Sequence, residues 1–150
     1  MSLNQTLTTL FTEVFEGLAP GASGTWVVER GEALEETLAS LTASQASQRI
    51  GQASSIAAHT LHTIHYLQMS NAQARGEAFT PDWDGSWARQ TVTDPEWKGI
   101  QEDLKQQKAM LLELMCQPGL PNGAVLGAIA NIAHAAFHLG AIRQLALTSQ

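Results

Sequence analysis

A chain of 150 residues with a net charge of −6 has the length of one domain, and its eight basic residues form no patch of the kind nucleic acid requires. With 44% hydrophobic and 15% charged residues it has an ordinary globular composition, large enough to bury a core without covalent staples. The single cysteine, Cys116, excludes an intrachain disulfide and makes a reducing cytoplasm the expected compartment.

The opening "MSLNQTLTTLF" has no basic stretch leading into an apolar run, so no secretory leader is expected. No uninterrupted apolar run reaches bilayer length, so no membrane partner is expected either. Leu3, Leu7, Leu10, Phe11, Val14, Phe15 and Leu18 recur at three- and four-residue spacing, which predicts an amphipathic helix ending before "APGASG". "TWVVE" has the composition of a short extended piece, too short to found a sheet. Glu32 to about Leu41 predicts a brief helix with Ala33, Leu34, Leu38 and Leu41 inward, followed by a polar bridge, "TASQASQRIGQ".

A second long helix is predicted from about Ser54 to Ala72. The longest loop, "RGEAFTPDWDGSWARQTVTD", follows it with Gly, Pro and Asp interrupting any period. "TDPEW" is a helix start, with Thr93 or Asp94 as N-cap, Pro95 in the first turn and Glu96 near the positive helix end. The third helix carries Trp97, Ile100, Leu104, Leu111 and Met115 and stops at "QPGLPNG". A fourth runs from about Gly123 to Leu147. The expected fold is an all-α, up-and-down-like four-helix bundle over 1–150, with a short extra helix between the first two long ones.

Charge is missing where it is usually found. No Asp, Glu, Lys or Arg occurs between Gly51 and Ala74, and between Gln117 and Gln150 only Arg143 does. Helices so bare of charge belong inside a bundle. Yet all five histidines lie in them: His59, His62, His65, His134 and His138. At 100° per residue, His134 and His138 share one side of the fourth helix with Gly127, Ala130, Asn131 and Ala141, small residues that leave room. On the second helix the histidines fan across the arc opposite Ile56, Ala57, Ile64 and Leu67. His62 lies at the middle of that arc, placed to meet His134 and His138, while His59 and His65 point towards the rims.

Two histidines at i and i+4 can direct ring nitrogens at one ion, and a third from a neighbouring helix completes a three-nitrogen site with an open position. An isolated His-x-x-x-His is more often hydrogen-bonded scaffolding, but five of five histidines in two uncharged helices shift the balance to a metal. The chemistry suits zinc, nickel or iron without choosing among them. "HAAFH" has no glutamate between its histidines, which removes the zincin-type peptidases.

These residues resemble a known family. "SSIAAHTLHTIHYL" and "HAAFHLGAIRQL", the latter with Gly140 two residues after the second histidine, are similar to the DinB/YfiT-like superfamily of metal enzymes across essentially the whole chain. The resemblance implies a divalent transition metal held by His62, His134 and His138, with His59 the alternative from the second helix. It implies a small-molecule substrate, thiol S-transferase or hydrolase chemistry with a low-molecular-weight thiol, and a homodimer. Some thiol-transferase members carry an acid one turn after the second-helix ligand, where this chain has Tyr66, a hydrogen-bond donor but not a carboxylate base. A metal-binding or stress-associated module without turnover is the alternative to an enzyme.

Arg143 is a candidate for binding a substrate carboxylate, or equally a helix-end cation facing the dipole. Trp83, Trp87 and Trp97 either staple the long loop to the bundle, the reading favoured here, or wall the metal cleft. "DWDG" lacks the later oxygens of a calcium loop. Cys116 has no activating neighbour in sequence and reads as a helix-end hydrophobe, and Met110 and Met115 as core.

Overall fold

A computed structural model describes residues 2–119 and 121–148. Every regular element among them is helical: α1 (Leu3–Glu16), α2 (Leu34–Ala39), α3 (Ala43–Ala46), α4 (Ile56–Ala74), α5 (Asp94–Met115) and α6 (Asn122–Thr148), with one 3₁₀ turn at Gly85–Trp87. The four long helices form the expected bundle. α1 and α4 each pack on both α5 and α6, so the ring runs α1, α5, α4, α6.

Helix starts follow the local chemistry. Ser55 Oγ accepts from the Ala58 amide to open α4. At α5, Glu96 Oε2 accepts from the backbone amide and hydroxyl of Thr93, both at 2.8 Å, which makes Thr93 the N-cap and leaves Pro95 in the first turn. The polar bridge is partly helical, against expectation. Thr42 and Gln45 cap each other reciprocally, a T-x-x-Q capping box that starts α3 without an apolar period to announce it. "TWVVE" forms no strand. It bends, and Trp26 sits in the left-handed region at φ 68°, where no ladder can continue.

The core joins Phe11, Val14 and Phe15 of α1 to Leu34 and Leu38 of α2, Ile56, Ile64 and Leu67 of α4, Leu104 and Leu111 of α5, and Leu139 and Ile142 of α6. Met115 is buried there as expected, Met110 only partly, and Cys116 is exposed at the end of α5. Two polar ties cross it. Lys108 of α5 reaches Glu16 of α1 at 2.7 Å and Glu35 of α2 at 2.6 Å, and the amide of Asn71 in α4 donates to the Gln107 carbonyl at 2.9 Å. α6 departs from the sequence reading in one respect: its 27 residues have a mean hydropathy of 1.6 over the best window, apolar enough by length and composition to cross a membrane. Single small and polar residues interrupt every apolar run, which hides that average from a search for continuous stretches.

Candidate metal centre

α4 and α6 lie side by side, and their histidine-bearing sides meet. His134 and His138 sit one turn apart on α6, and their Nε2 atoms stand 3.1 Å from each other. His62 enters from α4. One nitrogen from each of His62, His134 and His138 lies within 4.8 Å of the others. Zinc–nitrogen bonds of about 2.0–2.1 Å place ligand nitrogens roughly 3.3 Å apart. The α6 pair already has that spacing, and a nitrogen of His62 lies within 4.8 Å of both. The donor set therefore fits a divalent transition ion, and it supplies three ligands with no carboxylate or thiolate among them.

The partners of the other ring nitrogens select the tautomers. The Ser86 hydroxyl donates to the Trp83 carbonyl at 2.6 Å, so its oxygen is left to accept from Nδ1–H of His62 at 2.8 Å. That assignment leaves the Nε2 lone pair of His62 free for a ligand role. On α6, Nδ1 of His138 meets Nδ1 of His59 at 2.9 Å. His59 is thus inside the cluster rather than at its rim, but it contacts the edge of His138 opposite the converging nitrogens. Its place is behind His138, on the edge away from His134. A wheel at fixed angle assigns it the flank because it ignores how far an imidazole one turn along can reach across to a neighbouring helix.

Aromatic faces enclose the rings. Trp87 stacks on His62 with centroids 4.2 Å apart and meets His59 edge-on at 5.1 Å. Tyr66 stacks on His134 at 4.0 Å. Trp83 stands 6.2 Å from His62 and 5.5 Å from His65, whose Nε2 accepts from the Asp82 amide. Trp83 and Trp87 thereby tie the long loop down and wall the cluster at once. Trp97 does neither: it is 3% exposed, with its indole N–H on the Leu41 carbonyl in the core beneath α3. Asp82 caps the Gly85 amide instead of gathering ligands.

Arg143 is not brought to the histidines. Its guanidinium pairs with Glu32, just before α2, five residues and nearly half a turn around α6 from His138. A carboxylate of the chain thus engages one end of the guanidinium. Ser86 is the residue of the cluster that the sequence leaves invisible, since nothing in "DWDGSW" signals a histidine partner across 24 positions.

Burial sets the charge state. It pushes His138 down to about 3 and His134 to about 4, and neighbouring histidines add to the shift. His59 and His62 are lowered for the same first cause. At neutral pH all four rings are uncharged and hold lone pairs available to a cation. One turn along α6 from His134 and about two turns along α4 from His62, Asn131 donates to Ser70 at 2.8 Å beside a groove of about 420 Å³ whose lining includes Gly127, Ala128, Leu111 and Met115. Of the small residues noted on the histidine side of α6, Gly127 and Asn131 line it. Comparison with family models, curated proteins and solved structures finds no match.

Proposed function

We propose that this protein is a divalent-metal-dependent enzyme of the DinB-like type, acting on a small molecule, with its ion on His62, His134 and His138. The observation that carries the reading is the convergence of three neutral imidazole nitrogens from two facing helices, with no fourth ligand grouped with them among the described residues. Structural zinc sites close with four ligands, whereas three leave a position for a reactant. When bound, the ion supplies Lewis acidity that lowers the pKa of a water or thiol in that position. Transfer of a low-molecular-weight thiol to an electrophile is the specific reaction proposed.

The chain's own residues prepare that position. Ser86 fixes the tautomer of His62, His59 backs His138, and Trp87 and Tyr66 hold two ring planes by stacking. Tyr66 also carries a hydroxyl that can donate a hydrogen bond to a reacting group. Stacking on Trp87 and Tyr66 covers one face each of His62 and His134.

Elemental analysis of untagged protein tests the metal: about one equivalent of a transition ion per chain is expected, lost in His62→Ala and His138→Ala. Less than about a tenth of an equivalent after attempted reloading refutes the metal reading. With metal-replete protein, thiol conjugation across a panel of electrophiles tests the reaction, and stoichiometric metal without turnover leaves a binding module.

A further inference from the structure

The groove beside Asn131 lies at the end of the bundle where α4 and α5 finish and α6 begins. It starts one turn from His134 and follows α6 away from the histidines for about 12 Å, from Asn131 to Gly123. Its volume of about 420 Å³ is that of a small-molecule site. Leu111, Leu114 and Met115 of α5 and Ala128 of α6 give it an apolar lining. α6 leaves this space open: a Cβ at Gly123 or Gly127 would meet nothing within 4 Å. Two glycines one turn apart weaken a helix, and no close packing at these positions offsets that cost.

One end of the groove is polar and incompletely bonded. Asn131 is 3% exposed, and its amide nitrogen donates to the Ser70 hydroxyl at 2.8 Å and to the Gly127 carbonyl at 2.9 Å. The carbonyl partner fixes which way the amide points, and both amide hydrogens are committed. Among the described residues no group donates to Oδ1 of Asn131, and none accepts from the hydroxyl of Ser70. A buried acceptor and an adjacent donor thus stand ready at one end of an apolar channel. None of the described residues lining it is charged.

We propose that the groove binds an uncharged amphiphile, an alkyl chain carrying a carboxamide, with its head at Asn131 and Ser70 and its chain along α6 towards Gly123. A carboxamide fits the polar pair reciprocally: its N–H donates to Oδ1 of Asn131, and its carbonyl accepts from the Ser70 hydroxyl. A carboxylate has acceptors only, and it brings a charge to a lining without a cation. An alkylammonium satisfies Oδ1 but leaves the Ser70 hydroxyl without an acceptor and its own charge without a counter-ion. The groove is separate from the three-histidine position and needs no ion there.

The test is a proton–nitrogen correlation NMR titration of the full chain with octanamide, run in chelator so that the outcome is independent of metal. Saturable shifts are expected at the amides of Gly123, Gly127 and Asn131, with a dissociation constant on the order of 1 mM or below for a ligand of this size. Octanoate and octylamine, with the same chain length, should bind at least about 10-fold more weakly. Gly127→Leu fills the groove from a position with free space, so it should abolish binding without lowering the melting temperature. Ser70→Ala removes the donor and should weaken octanamide by about 3- to 10-fold, which keeps the head-group assignment testable if Gly127→Leu misfolds. Shifts that do not saturate, equal affinity for octanoate, binding retained in folded Gly127→Leu, or unchanged affinity in Ser70→Ala would each overturn the proposal.

Discussion

Metal-free protein should lose stability as pH falls from 7.5 to 5, and His138 should account for much of the loss. In the fold its pKa is held near 3, while the unfolded chain titrates near the ordinary 6.5. Between those values the unfolded state binds a proton that the native state refuses, so stability is complete above about pH 7 and declines towards pH 3. At pH 5 the unfolded imidazole is some 1.5 units below its pKa, which corresponds to about 2 kcal/mol from His138. His134, lowered to about 4 but in closer touch with solvent, adds a smaller share. A combined loss of about 3 kcal/mol lowers the melting temperature of a 150-residue domain by roughly 6–12 °C. Thermal unfolding followed by circular dichroism in chelator, at pH 7.5 and 5.0, reads this directly. The same pair of melts on His138→Gln cancels the carboxylates' contribution and should show a drop smaller by about 2 kcal/mol. An identical pH dependence in wild type and variant refutes the assignment of these rings as buried and neutral.

Saturating zinc at 100 times its dissociation constant should stabilise wild type by about 2.7 kcal/mol, reversed by chelator and absent in His62→Ala; differential scanning calorimetry measures it. Ser86→Ala should weaken metal affinity by about 10- to 100-fold in a chelator competition while leaving the melting temperature of the metal-free protein nearly unchanged. Equal affinity would show that Ser86 does not fix the tautomer of His62. Lys108→Met leaves Glu35 partly buried beside an apolar side chain and should cost about 3 kcal/mol in urea denaturation, largely recovered by adding Glu35→Gln.

The bundle was legible because apolar spacing and terminal chemistry agree, as at Thr93–Pro95–Glu96, where cap, ring and carboxylate mark one helix start. The histidine pairing was legible from missing charge: two bare helices have to be neighbours, and their polar arcs have to meet. Three features were not. α3 is too short to show a period, and only its capping pair announces it. Ser86 reaches His62 because an irregular loop folds back over α4, and no periodicity governs an irregular loop. Arg143 was placed by helix position alone, but its partner, Glu32, lies 111 residues away.

The same blindness explains how α6 carries two surfaces in one sequence. A helix with one buried and one solvated face shows its amphipathicity, and its charges point to the outside. α6 has apolar residues on both faces and shows no such preference, so its sequence reads as wholly interior. The structure buries only the side with Asn131, Ala135 and His138 and leaves Phe137 at 70% exposure on the other. Phe137 touches both surfaces, since its ring also meets the edge of His138 at 5.1 Å. Phe137 therefore links the exposed side of α6 to His138 inside the cluster.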